Sequence, residues 1–495
     1  MNEELRDLSE LSDEKLYSEL LTMKEDVQTE LKEANNQLPS SVWETFSSFA
    51  NTSGGNIVLG VREEEDINSL SGVAHPDKLL TDMWNSMSNE NKINCRVLSN
   101  SDVKKRVIDG KCFLIFNVKE APNHRKPIYL KNKLENTYIR TGDGDRKAST
   151  DEISAMLRNT SNNADSQVLT GLNMEDLDRN SFQRLKSLIV SRYQNRGLES
   201  LGDEDFLIRI GAASRDRKTG EVSLLAGTLL MIGKTNVIKE MFPHFHLDYF
   251  EFKKDSPSRW EFRISDDDYL QEEVNLLTFY ERVMNRLSSW VKEPFMLNRN
   301  MIRLADHGQI LGSLREALVN SLIHSDYLMF DASVRIEARE DRLTFRNPGQ
   351  LLIPASDFFM GGNSKPRNEV LMKLFRMAGF AERQGFGGSQ IYSNSVARDL
   401  KLPEISSDLT KTELTVFTAP KTLTADVSSD HERIVYQTLF ENGQDLFSFS
   451  DLKQLTDLSE HYLRRSINSL LDKNLISKQG KGRGVRYRIN VSDES

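Results

Sequence analysis

The sequence predicts a multidomain α+β chain, and three observations carry the prediction. Its 495 residues exceed what one hydrophobic core serves, so three or four domains are expected. Stretches such as "HLDYFEFK" alternate apolar and polar residues with the period of a half-buried strand, whereas "REALVNSLIHSDY" repeats its apolar residues at helical spacing. Polar, small-residue segments at 161–165 and before 430 read as linkers. The expected domains are 1–160, 161–298, 299–422 and 428–495.

Composition narrows the function classes. A net charge of −9 argues against a uniformly basic nucleic-acid coat, so any such contact must come from local patches. The longest apolar run, 222–233, is too short to span a bilayer and reads as a buried strand or helix. The acidic N-terminus lacks the basic-then-apolar profile of a signal peptide, and the expected location is cytoplasmic, with no membrane partner. Cys95 and Cys112 are the only cysteines, with no CxxC pattern, so neither a disulfide framework nor a zinc site is signalled.

Residues 1–30 are acidic and helical in pattern. A break at Pro39 precedes a helix from about residue 40, which runs into "FSSFANTSGGNIVLGV". There Ser53, Gly54 and Gly55 make a turn, and Ile57, Val58, Leu59 and Val61 an apolar strand. Further strands are expected at 112–118 and 136–140. A glycine-rich charged turn, "RTGDGDRKAS", and a helix at 150–157 close the unit.

The "FANTSGGNIVLGV" box and "NTYIRTGDGDRKAS" resemble the AlbA-related domain of Schlafen-type proteins, over nearly all of residues 15–158. The resemblance implies contact with nucleic acid, DNA rather than RNA. Arg125, Lys126, Arg140, Arg146 and Lys147 lie in and around the loops and are the residues expected to hold phosphates. Some members of that family are endoribonucleases with three acidic metal ligands. These fall here on Glu25, Glu30 and Glu63, although Arg62 stands where the family has an aspartate, and a cation there would compete with a metal.

Residues 170–300 mix helices at 181–193 and 272–290 with strands at "SLLAGTLLMIG", "FHLDYFEF" and "WEFRIS". Phe242, Phe245, Tyr249, Phe250, Phe252 and Trp260 read as core aromatics rather than a base-stacking platform.

In 315–327, Arg315, Glu316, Asn320, His324 and Asp326 recur at short spacings, so most share one helix face and Ala317, Leu318, Val319, Leu322 and Ile323 supply the packing face. Buried polar groups need partners, and a metal-bound phosphate is one such partner. A hairpin, "SVRIEAR" and "LTFRNPG", follows; then come "GGNSKPRN", a helix at 369–378, and "ERQGFGG" opening another helix. Glycine turns entering helix N-termini present free N–H groups to an anion. The set resembles a divergent GHKL-type ATP-binding α/β sandwich.

That resemblance implies ATP with Mg2+. Glu316 would orient or deprotonate the attacking water, and Asn320 would coordinate the magnesium. His324, Asp326 and Arg367 would lie about the nucleotide, Asn347 and Gly349 at the adenine, and Gly385, Gly387 and Gly388 against the phosphates. Where the family has His-Arg-Asp-Tyr, this chain has His324, Ser325, Asp326 and Tyr327, and Asn347 replaces the superfamily aspartate. Binding with slow turnover is the expectation, suited to a switch.

Three helices at 431–441, 450–456 and 460–474, followed by "LISKQGKGRGVRYRI", give a winged helix-turn-helix pattern. Residues 473–488 carry six basic residues and no acidic one. His461, Arg464, Arg465 and Asn468 would read bases, with Lys478, Lys481, Arg483 and Arg486 on the wing. Two readings follow: an ATP-binding, nucleic-acid-binding regulator, dimeric or larger, whose ATP occupancy arranges its nucleic-acid-binding domains, and an ATP-gated, metal-dependent Schlafen-like nuclease, with a role in anti-phage defence.

Overall fold

The computed structural model describes residues 8, 11–34, 37–160, 164–194, 196–253, 256–270, 272–290, 307–330, 333–362, 365–381, 385–398, 400–418, 430–441, 446–456, 458–473, 475–480 and 485–489. The chain is mixed α+β and forms two compact units, Met1–Ala164 and Asp165–Ser495.

In the first unit a four-stranded sheet runs in the order Thr29–Lys32, Gly55–Leu59, Lys111–Val118, Val103–Ile108. Only the first pair is parallel. Gly55–Leu59 is buried at every residue because it is central and covered on both faces. Helix Val42–Asn51 supplies Trp43, Phe46, Phe49 and Ala50 to the larger core. The helical expectation for 1–30 is corrected here. The helix is Asp13–Thr22, capped by Ser12, and Thr29–Lys32 is a strand, which places Glu30 inside the sheet.

In the second unit a core extends in sequence from Leu169 to Val416. Its six-stranded sheet has the order Ser256–Ser265, Leu247–Lys253, Val334–Arg339, Arg342–Pro348, Lys411–Phe417, Glu404–Ser407. Leu247–Lys253 pairs in parallel with Val334–Arg339, so the segments on either side of residue 298 share one sheet and one core. Strand alternation turns Val334, Ile336, Ala338, Leu343 and Phe345 into that core. Arg335, Glu337, Arg339, Thr344 and Arg346 occupy the alternate positions.

"SLLAGTLLMIG" is not one strand. Val222–Leu225 is, but Ala226–Ile232 is a buried helix in which the Thr228 hydroxyl donates to the Ala212 carbonyl and Gly227 lies against Val370. The last part of the unit has its own core of Val435, Tyr436, Leu463, Ile467 and Leu470. Three helices, Asp430–Glu441, Phe449–Thr456 and Glu460–Asp472, accompany a three-stranded sheet there.

Candidate functional site

Helix His307–Ile323 packs on strand Arg342–Pro348 and on helix Gly387–Ala397. It ends four residues before the sequence pattern suggests, because tertiary partners take its last carbonyls. The Asn368 amide donates to the carbonyls of Ile323 (2.9 Å) and Ser325 (2.8 Å), and the Tyr327 hydroxyl donates to that of Leu322 (2.7 Å). Such bonds satisfy carbonyls that a helix end otherwise leaves bare.

Glu316 is buried (8% exposed) and accepts from the Asn320 amide at 3.4 Å. Gly387, at the start of the facing helix, lies directly against the Glu316 carboxylate: a Cβ there would come within 2.6 Å of Cδ and closer still to Oε1. A Cβ on Gly388 would meet the Phe358 main chain, and one on Gly361 the Ser389 hydroxyl. The Gly362 N–H donates to the Gly385 carbonyl at 2.8 Å. The structure therefore brings Glu316 and Asn320 against the helix start at Gly387, with Phe358 and Ser389 packed on the neighbouring glycines.

A second cluster follows the helix end. Gly349, at φ +94°, fits between Asp326 and the Arg367 guanidinium, where any Cβ would be strained. Arg367 is buried and donates to the His324 carbonyl (3.1 Å) and the Gln350 carbonyl (2.9 Å). Its charge and burial together hold the His324 imidazole down to about 4, burial being the larger cause, so His324 is neutral at physiological pH. The Asp326 N–H donates to the Pro348 carbonyl, and Asn347 is buried beside it with its amide on that same carbonyl at 3.3 Å. The Ser325 hydroxyl is buried and donates to the Ser321 carbonyl at 2.6 Å. Asn368, with no assigned role in the sequence reading, ties this turn to the helix; its place in "PRN" was the available signal.

In the first unit, Glu25, Glu30 and Glu63 are drawn into one neighbourhood, but the chain's own cations share it. The Glu25 N–H donates to Glu63 at 3.0 Å, and Lys32 ion-pairs with both Glu25 (3.5 Å) and Glu30. Lys24 lies 3.8 Å from Glu63, and Arg140 2.7 Å from Glu30. Burial and the Glu30 charge raise the Glu25 carboxyl above its ordinary range. Arg62 instead turns to Glu64 (2.8 Å), so the competing cation is Lys32 rather than Arg62.

Two expected phosphate contacts are corrected. The Lys126 side chain is buried and donates to the Asn51 carbonyl (2.9 Å) and to Glu120 (2.5 Å). Arg140 is buried too, bonded to the carbonyls of Asp26 and Thr29 and paired with Glu30 and Asp145. Neither reaches the surface. Arg125 and Lys147 are exposed, and Arg146 is exposed while held by Glu152 at 2.7 Å. Asn51, from the glycine box, is the hub of this unit: its amide bonds Ile128 through both N–H and C=O, and it also donates to the Tyr138 carbonyl.

In the C-terminal module, His461, Arg464, Arg465 and Asn468 are exposed and Leu463, Ile467 and Leu470 buried, as the helical spacing predicts. Lys478 is exposed and Arg486 half-buried, whereas Lys481 and Arg483 lie outside the described residues.

Among the described residues, His246, Asp266 and Asp267 form the one cluster of metal-ligand spacing. Asp248 and Asp266 bracket the imidazole at 2.9 and 2.8 Å and raise it to about 10, and Lys239 and Arg263 pair with the same carboxylates. The cluster is an imidazolium-centred ion network, whose ring nitrogens have no lone pair to offer a metal.

Residues 25–149 match the family model "Schlafen, AlbA_2", and residues 331–416 the model HATPase_c_4, described as "Putative ATP-dependent DNA helicase recG C-terminal". Residues 154–248 match a domain of unknown function, DUF8451. The chain thus carries a match to an AlbA_2 domain in its first unit and to an ATPase-related domain in its second. Among solved structures, the DIP2311 protein from Corynebacterium diphtheriae is 17% identical, covering 94% of this chain and 95% of its own, with a TM-score of 0.38. The N-terminal domain of a RecG-related protein from Nitrosomonas europaea is 25% identical over 29% of this chain and 95% of its own, with a TM-score of 0.22. No curated protein matches. No helix among the described residues is long and apolar enough to cross a membrane.

Proposed function

We propose that this protein is an ATP-binding, nucleic-acid-binding regulator in which ATP occupancy of the second unit sets the arrangement of the nucleic-acid-binding parts. The observation that carries the reading is the buried Glu316, bonded to the half-buried Asn320 and lying directly against Gly387 at the start of the facing helix, with Gly385 and Gly388 in the same glycine-rich stretch. A triphosphate with its magnesium suits that donor set, since Asn320 offers an amide oxygen to the ion and the glycines offer main-chain N–H groups. Bound there, it would supply an electrophilic phosphorus and a divalent charge. Glu316 would orient a water molecule, and neutral His324 would add no competing charge. Arg367 acts indirectly, by fixing the His324 to Gln350 turn.

Duplex DNA would meet the exposed face of helix Glu460–Asp472, a winged helix-turn-helix in this reading, and Arg125 and Lys147 would be phosphate contacts of the AlbA_2 domain in its own right. The deciding experiment is thermal unfolding of the full chain with and without MgATP. A shift that Asn320→Ala abolishes supports the reading; identical curves in both proteins refute it. Duplex binding measured with ATP and with ADP then tests the gating.

A further inference from the structure

The outer face of the six-stranded sheet breaks a pairing rule. In the antiparallel pair Val334–Arg339 and Arg342–Pro348, Arg335 stands directly opposite Arg346 and Arg339 opposite Arg342. Like charges in directly opposed positions destabilise a sheet, and alternation alone demands only polar residues there. Two such oppositions on one hairpin are a local cost that ring contacts of Arg335 and Arg339 with Phe250 and Phe252 offset only in part, the pattern expected where a surface serves a ligand.

The surroundings point to the ligand's chemistry. Arg335, Arg339, Arg342, Arg346 and Lys401 line a groove of about 310 Å³, against only Glu337, Glu404 and Glu413. The carboxylates pair with these cations, Glu337 with Arg335 (2.8 Å) and Arg339 (3.0 Å), and Glu413 with Arg346 (2.6 Å). Part-exposed pairs of this kind are weak, so a polyanion can displace them. Aromatic rings continue the row across neighbouring strands. The Arg339 guanidinium lies 4.0 Å from the Phe252 ring, Phe252 pairs with Trp260, and Trp260 is 52% exposed. At the other end Lys401 lies 4.2 Å from the Phe417 ring. The aromatics expected in the core thus divide: Phe245 and Tyr249 enter it, whereas Phe252 and Trp260 belong to the opposite face.

We infer that this face is a second nucleic-acid site, specific for single strands. Arginines on adjacent strands hold the phosphate backbone, and Trp260, with Phe252 behind it, takes a base. A flat sheet carrying cations and an exposed ring fits unstacked bases, whereas a duplex hides its bases from a ring. The site needs neither ATP nor the C-terminal helices, so it stands apart from the regulatory reading above.

The test is fluorescence anisotropy of labelled oligo-dT and oligo-rU with the full chain, across a salt series. Replacing Arg342→Gln and Arg346→Gln together removes two phosphate contacts, so affinity falls about tenfold and the salt slope becomes shallower by about 1.4. The midpoint of unfolding stays level or rises, because opposed charges are relieved. Trp260→Ala, at an exposed position, weakens binding at least about fivefold. Unaltered affinity and slope in the double glutamine variant overturn the inference. So does inorganic polyphosphate binding with equal affinity and no effect of Trp260→Ala, which would make the face a plain anion site.

Discussion

Gly387 and Gly388 are neighbours at one helix start, and the structure assigns them different obstacles. Gly387→Ala places a Cβ against Glu316, 2.6 Å from Cδ and 2.7 Å from Cγ. That obstacle is the end of a side chain, which can swing aside. Gly388→Ala places its Cβ 2.9 Å from the Phe358 carbonyl carbon and closer still to its oxygen, and main chain cannot yield without moving the segment. Exchanging helical glycine for alanine gains up to about 1 kcal/mol, and overpacking costs about 1–3 kcal/mol. Gly387→Ala should therefore cost about 0–2 kcal/mol, and Gly388→Ala about 3 kcal/mol or more. At roughly 2 °C per kcal/mol for a unit of this size, the Tm falls by 0–4 °C and by about 6 °C or more. Ligand response separates the two further. With ATP at about a hundred times Kd, wild type gains about 2.7 kcal/mol, and Gly387→Ala should lose most of that gain because it displaces Glu316, which accepts from the Asn320 amide and so positions the proposed magnesium ligand. Thermal unfolding with and without MgATP reads both quantities. A Gly387→Ala protein with the full ATP shift, or one less stable than Gly388→Ala, would refute the reasoning.

Three more outcomes are expected. Glu30→Gln removes one of the two carboxylates paired with the buried Arg140, Asp145 remaining, and should lower stability by about 1–3 kcal/mol, seen as a lower urea midpoint; an unchanged midpoint would mean that the pair is not buried in solution. Asp165, buried and accepting from the Leu371 N–H, has its carboxyl raised to about 6, chiefly by burial. A folded carboxyl above its unfolded value stabilises most when protonated, so this contribution is lost as pH rises from about 4 to 6, amounting to about 3 kcal/mol. Asp165→Asn should be more stable than wild type above pH 6 and lose that advantage towards pH 4; parallel pH profiles would count against it. His246, raised to about 10, should stabilise below pH 6.5 and cease to do so as pH climbs through 10, a loss that His246→Gln removes from the urea-midpoint profile.

Local pattern carried far in this protein. The strands "SVRIEAR" and "LTFRNPG" were legible because one face is apolar and the other charged, and helix Glu460–Asp472 because Leu463, Ile467 and Leu470 recur at helical spacing. The glycine box was legible because two adjacent glycines mark a turn before an apolar strand; that Asn51 bonds three main-chain groups there only the structure shows. Helix ends and the fate of charges were not. Residue 30 reads as helical until its neighbours in the sheet are known.

What the sequence by itself determined is the mixed α+β class, most of the elements, and the candidates Glu316, Asn320 and the glycines, since periodicity and turn chemistry are written locally. Only the tertiary structure decided which cations are spent inside the protein. Lys126 and Arg140 are, because burial forces each to find a carbonyl from a distant segment and a carboxylate, Glu120 for Lys126 and Glu30 for Arg140. It also decided that Arg335 faces Arg346 and Arg339 faces Arg342, because strand register is fixed by which face the core accepts and not by the charges that come to lie opposite.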